Sequence, residues 1–239
     1  MSQMTLPIIH IPDYYFDNFI SDKNTLVTTF LMEKISAVSS KNDALYTAYL
    51  YSKDAVGKTH LLHACCRFAE HLKLPCIYLD SRYLMQMPTE ILGDIEDNAV
   101  ICVDNLQAFA NDEQWQITLF DLINKLRETG GKLIVFAANK KPDSLKLQLP
   151  DLVSRLNWGT RFKLKTYSDD DKMEILTEHA RERGFKLPSH CARHLLKTRN
   201  RDLHQLLSII EIIDGYSLQE KQSITLPFLK KVLDSPSDE

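Results

Sequence analysis

Glycine is scarce in this chain. It supplies 7 of 239 residues, under half of the ~7% share usual in proteins, and no Gly-rich linker, internal repeat or low-complexity tract is present. The five cysteines, Cys65, Cys66, Cys76, Cys102 and Cys191, form no CxxC pair, and most sit in apolar runs such as "AVICVD". That spacing speaks against a zinc site or a disulfide frame and for reduced, buried thiols in a cytoplasmic protein. No apolar run approaches the ~20 residues of a membrane span. The first residues show no basic stretch followed by an apolar run, so neither a secretory leader nor a membrane partner is expected. Charge of one sign is lacking too. A formal net charge of −3 argues against a protein that coats nucleic acid and leaves room only for a local basic patch. What remains is ordinary globular composition, 44% hydrophobic and 26% charged, enough for one or two domains.

Short apolar runs alternate with amphipathic stretches. Residues 44–51, 75–80, 98–106, 132–139 and 161–167 read as strands, short and partly continuous in apolar residues as buried parallel strands are. Helical spacing fills residues 58–72 and 113–130, and less clearly 83–95. Gly130 suits a left-handed helix stop. Strand and helix in this rhythm give a parallel sheet covered on both faces. After Tyr167 the strands stop. Ser168 is an N-cap candidate followed by three acids, and four helical stretches follow it to about residue 235. The expected organisation is an α/β nucleotide-binding domain over 11–167 and a helical lid over 168–239, preceded by a peptide at 1–10.

The scarcity of glycine matters most at "SKDAVGKT", residues 52–59. The phosphate-binding pattern G-x-x-x-x-G-K-S/T fits except that Ser52 replaces the first glycine. The context is that of a phosphate loop: a strand ends near Tyr51 and a helix starts at Lys58. Backbone N–H groups around Val56 and Gly57, the helix N-terminus and the Lys58 ammonium suit phosphate, and the Thr59 hydroxyl suits Mg2+. The bland alternative is that "GKT" merely caps a helix. In "AVICVDNLQ", an apolar strand ends in Asp104, a second Mg2+ ligand if this is a P-loop ATPase and an ordinary strand-end acid if not. Asn105 stands where many such enzymes carry an acid, and an amide cannot act as a base. Asn139, ending "LIVFAAN", is either a contact to phosphate or water, or a turn residue.

With these elements in order, a family becomes visible. "YYFDNFISDKN", "GKTHLLHA", "ICVDNLQ", "LPDLVSRLNWG" and "NRDLHQLL" resemble the AAA+ domain of the bacterial replication initiator DnaA and its shorter relatives, over about residues 3–235. The fold implied is an AAA+ P-loop parallel sheet domain with a C-terminal helical lid. DnaA continues into a DNA-binding domain, and the resemblance implies a short relative without one. It also implies that Phe16, Asp17, Asn18 and Phe19 frame the adenine of ADP or ATP, with Val56, Gly57, Lys58, Thr59 and His60 in the loop and Mg2+ at Thr59 and Asp104. Asn139 falls at the sensor 1 position, where the initiator has an acid. Arg201 aligns with a nucleotide-sensing lid arginine. Arg155 aligns with an arginine finger that acts on a neighbouring subunit. Residues 3–8, "QMTLPI", resemble the peptide that docks replication proteins on the bacterial sliding clamp, the β subunit of DNA polymerase III. Gln3 would hydrogen-bond there, and Leu6, Pro7 and Ile8 would fill an apolar groove. A chance match at a frayed terminus is the alternative.

Short relatives of this group work with ADP bound and turn over little nucleotide themselves. The resemblance therefore implies a negative regulator of replication initiation that docks on DNA-loaded clamp and uses Arg155 to complete the active site of ATP-bound DnaA. Self-association is possible in such a chain, and DNA contact would be indirect or weak. An independent helicase-loader or clamp-loader-like ATPase is the first rival, though it would want an acid at position 105. A nucleotide-free scaffold bridging clamp and initiator is the second. A P-loop small-molecule kinase has no use for the "SRLNWG" element.

Overall fold

The computed structural model describes residues 14–20, 22–39, 44–199, 201–220 and 223–234. Strands β1 (Leu45–Tyr51), β2 (Cys76–Asp80), β3 (Val100–Asp104), β4 (Lys132–Ala138) and β5 (Thr160–Lys163) form one parallel sheet in the order β2-β3-β4-β1-β5. Helices α1 (Thr25–Ser39), α2 (Lys58–His71), α4 (Glu113–Thr129) and α5 (Pro150–Asn157) cover it, with the four-residue α3 (Ser81–Leu84) after β2. The side-chain period of two divides each central strand between two cores. Ile101, Val103, Ile134 and Phe136 join Leu119, Leu122 and Leu126 of α4 and Leu152 and Leu156 of α5. Val100, Cys102, Leu133 and Val135 join Leu31 and Ile35 of α1 and Leu61, Leu62 and Cys65 of α2. β3 is buried along its whole length, so the acid at its end starts from a fixed position.

Beyond β5 the chain is helical: α6 (Asp169–Glu182), α7 (Ser189–Thr198), α8 (Leu203–Glu220) and α9 (Leu226–Asp234). They hold a core of their own that includes Leu176, Cys191, Leu195, Leu206, Ile210 and Leu229. Ser168 caps α6 as expected. Its Oγ accepts from the Asp171 amide at 3.2 Å, while its own N–H donates to the Asp171 carboxylate at 2.7 Å. Among the described residues no helix is long and apolar enough to cross a membrane.

Several expectations need correction. Residues 83–95 do not form a helix. Only the short α3 and two 3-10 turns occupy the segment, because Pro88 and Gly93 interrupt it. β5 ends at Lys163 rather than 167, after which the Lys165 N–H donates to the Asn24 side chain at 3.0 Å. Gly130 does end α4, at φ 61° and ψ −168°, outside the left-handed helical region but in one essentially reserved for glycine. Helix α1 was not among the expected elements, although Val27, Leu31, Ile35 and Val38 recur at helical spacing and are buried.

Candidate nucleotide site and the Arg155 surface

The loop between β1 and α2 opens into a cleft of about 340 Å³ between the sheet domain and the helical part. Gly57 sits in the left-handed region at φ 79° as the N-cap of α2. A Cβ there would lie 2.7 Å from Cε2 of Phe19 and 3.0 Å from the Tyr167 hydroxyl. Positive φ and close approach together demand glycine at this position. Ser52, Lys53 and Ala55 demand none. Among the described residues the non-glycine positions with positive φ are Lys73, Asn105 and Lys146. Ser52 is instead a buried residue whose N–H donates to the Ala138 carbonyl at 3.3 Å and whose Oγ accepts from the Asp54 N–H at 3.4 Å. The loop has kept glycine only where its backbone needs it.

No side chain caps the N-terminus of α2, which leaves its first N–H groups suited to an anion. Lys58 Nζ donates to the carbonyls of Ser52 at 2.8 Å and Asp54 at 3.0 Å. Burial lowers its pKa, and the nearby Asp104 and Asp54 carboxylates partly oppose that. The Thr59 hydroxyl donates to Oδ2 of Asp104 at 2.6 Å, and the Tyr78 hydroxyl donates to the same oxygen at 3.0 Å. The hard oxygens of Thr59 and Asp104, beside a helix N-terminus and a lysine, fit Mg2+ with a polyphosphate. His60 follows. Its Nε2 lies 2.8 Å from the Tyr15 carbonyl and therefore carries the proton in a donating tautomer. Burial pushes its pKa down to about 4, so the ring is neutral at physiological pH.

Behind the cleft, a chain of amides crosses the strand ends. The Asn139 N–H donates to Gln107 at 3.1 Å, Gln107 Nε2 donates to Asn105 at 3.3 Å, and Asn105 Nδ2 donates to both oxygens of Asp80 at 3.2 Å. Asp80 also pairs with Arg82, whose Nη2 donates to it at 2.6 Å. Burial opposes the charge on Asp80, but Arg82 and Asn105 outweigh it and hold the carboxyl below its usual range. Oδ1 of Asn139 is buried without a partner among the described residues. It is an acceptor available at the cleft wall.

Of the expected nucleotide residues, the structure brings Asn18, Phe19, Val56, Gly57, Lys58, Thr59, His60, Asp104 and Asn139 to the cleft. Three of them, Asp17, Phe16 and Arg201, lie elsewhere. Phe16 packs edge-on against Phe68, with ring centroids 5.9 Å apart, and does not line it. Arg201 does not line it either. Its guanidinium lies 3.5 Å from Asp169, because the acids in the first turn of α6 offer a carboxylate nearby. Tyr14, Gln107, Tyr167 and Glu182 line the cleft and were not foreseen. Asn18 Nδ2 donates to Glu182 at 2.8 Å, a contact 164 residues apart in sequence that no local pattern announces. Gln3, Leu6, Pro7 and Ile8 lie outside the described residues.

Arg155 does not face this cleft. It projects from α5 and stacks on Trp158, with the guanidinium carbon 4.0 Å from the ring centroid, and lies 5.4 Å from that of Phe120. Arg127 approaches the Trp158 ring at 4.9 Å. Trp158 is 57% exposed. Nε of Arg155 is buried and has no hydrogen-bond partner among the described residues.

Residues 11–163 match the family model of the bacterial DnaA ATPase domain, and residues 169–233 match that of the Hda lid domain. A protein of Haemophilus influenzae is 32% identical over 97% of this chain and 98% of its own. Domain III of the Thermotoga maritima replication initiation protein DnaA superposes with a TM-score of 0.77 at 20% identity, over 93% of this chain and 96% of that one. AMPPCP-bound DnaA from Aquifex aeolicus does so with a TM-score of 0.68 at 22% identity, over 88% and 69%. At those identities the superpositions speak for the fold, while the family models carry the membership. The chain belongs to the DnaA family of AAA+ proteins, in the branch whose lid is of the Hda type.

Proposed function

We propose that this DnaA-related replication regulator holds ADP with Mg2+ in its cleft and acts on the ATP of a DnaA subunit through Arg155. Residues 3–8 tether it to the sliding clamp loaded on DNA. It is thereby a negative regulator of initiation, inactive on its own nucleotide and active on a partner's. In this division, Lys58 and the N–H groups at the start of α2 bind phosphate, Thr59 and Asp104 hold the metal ion, and Asn18 and Phe19 bound the base. Mg2+ would offset phosphate charge. Residues 11–167 and 168–239 serve as the nucleotide-binding domain and its lid.

The observation that carries this reading is the position of Arg155. It lies outside its own cleft, half-buried with its guanidinium stacked on the exposed Trp158, and its buried Nε–H has no hydrogen-bond partner among the described residues. A planar fork of this kind suits charge developing on a neighbour's γ-phosphate. The amide at Asn105 supports the other half, since it offers no base for attack on a nucleotide in the same cleft. AMPPCP bound to the Aquifex aeolicus relative supports an adenine nucleotide as the ligand. Calorimetric titration with ADP tests the binding half. Micromolar or tighter binding lost in Lys58→Ala is expected, and no binding to the unaltered protein overturns it. Steady ATP hydrolysis by the isolated protein, independent of clamp or DnaA, would instead favour a self-sufficient ATPase.

A further inference from the structure

Position 105 adjoins the Asp104 carboxylate, yet its side chain is governed from the neighbouring strand. β2 and β3 pair so that Asp80 lies opposite Asp104. The chain leaves β3 at Asn105 with φ 54°, and the side chain reaches the end of β2. There Nδ2 donates to both Asp80 oxygens at 3.2 Å. The other partners of Asp80 are also donors: the Arg82 backbone N–H at 2.9 Å, Nε at 3.1 and 3.2 Å, and Nη2 at 2.6 Å. Asp80 is 8% exposed, so water does little to screen it. Each of its hydrogen-bond partners among the described residues is a donor.

We propose that Asp80 is a positioning residue for position 105: it fixes an amide there, disfavours a carboxylate, and so keeps this cleft from activating water on its own nucleotide. The inference rests on the functional reading above. An acid at 105 would replace two donated bonds with oxygen facing oxygen at about 3 Å in a poorly solvated place. The side chains of Asn and Asp have nearly the same shape, so charge and donor placement decide between them. Exchanging the two residue types restores a donor–acceptor pair and puts an acid next to Asp104. In that arrangement the carboxylate at 105 takes a proton from water as the water oxygen bonds to the γ-phosphorus of ATP. The β–γ bridging oxygen leaves with its electron pair on ADP, and the proton passes on to phosphate.

Four full-length proteins test this: the unaltered chain, Asn105→Asp, Asp80→Asn and the double variant. Thermal unfolding and single-turnover hydrolysis of Mg2+-ATP are measured without any partner protein. Asn105→Asp is expected to lower Tm by roughly 4–8 °C, and the added Asp80→Asn to recover most of that loss. The double variant is expected to hydrolyse ATP roughly 10²-fold faster than the unaltered protein, the low end for a positioned base. Asn105→Ser, uncharged, should lose less Tm than Asn105→Asp, which separates charge from disturbed packing if the acidic variant folds poorly. Strictly additive Tm changes overturn the inference, and so does a double variant no faster than the unaltered chain. Failure of the functional reading looks different: the unaltered protein itself would turn over ATP steadily, while the Tm cycle kept its coupling.

Discussion

The cleft and the α5 surface treat their polar groups in opposite ways. In the cleft, functional groups are held by others of the same chain: Thr59 by Asp104, Lys58 by two loop carbonyls, Asn105 by Asp80. On α5, Arg155 rests on ring faces, and its buried Nε–H has no partner among the described residues. A half-buried cation stacked on an aromatic ring gives up about 0.5–2 kcal/mol on leaving it. Withdrawing Lys58 from its carbonyls costs more unless phosphate replaces them. The difference teaches which part is ready to act outward. The cleft's polar groups already hold one another within the chain, whereas Arg155 is held mainly by ring faces.

The largest expected effect breaks the α5 side alone. Arg155→Lys keeps the charge but loses the planar fork. It should reduce stimulation of DnaA-bound ATP hydrolysis by about 10³ or more, the low end of the range attributed to trans-acting arginines, and leave ADP affinity of this protein unchanged by titration. A matching loss of ADP binding would dissolve the contrast between the two regions. Next comes Gly57→Ala. Positive φ and the 2.7 Å approach of Phe19 should cost roughly 2–4 kcal/mol in denaturant unfolding and most of the nucleotide affinity.

A third effect is in pH. The folded pKa of His60, about 4, lies below the ~6.5 of an unfolded chain. Between those values the unfolded state binds the extra proton, so stability is full above pH ~6.5 and falls as pH drops towards 4. The loss attributable to this ring is at most about 3 kcal/mol, and His60→Gln, which retains a donor towards Tyr15, should flatten the slope. An unchanged slope would assign the acid sensitivity to other groups. The smallest effect sharpens the glycine argument. Ser52→Gly should lower stability by only about 0.5–1 kcal/mol through unfolded-chain entropy and should not tighten ADP binding. A tenfold gain in affinity would mean that the missing glycine did weaken the loop.

The contrast between the regions was partly legible in the sequence. Each half of the fold has a physical signature in the chain: continuous apolar runs for β3 and β4, helical spacing for the lid, and the run Gly57, Lys58, Thr59 between a strand and a helix. The substitution at Asn105 is visible as a missing acid. Its reason is not, because Asp80 lies 25 residues away in sequence and meets it only through the parallel pairing of β2 and β3. The same holds for the Asn18–Glu182 contact that joins the two sides of the cleft. The phosphate-loop pattern asks for glycine at both Ser52 and Gly57. Only backbone angles distinguish Gly57, which needs positive φ, from Ser52, which does not. Arg201 illustrates the reverse: a residue aligned by motif was drawn away by an acid, Asp169, whose proximity comes from how α6 meets the start of α8.

The central claim is that Arg155 does its work in another protein's active site. Hydrolysis of ATP bound to DnaA, measured with clamp-loaded DNA and this protein in either its unaltered or its Arg155→Ala form, tests that claim most directly. The account predicts strong stimulation by the unaltered protein and none above background with Arg155→Ala, although the variant still binds ADP. Stimulation that survives Arg155→Ala at the level of the unaltered protein would contradict it.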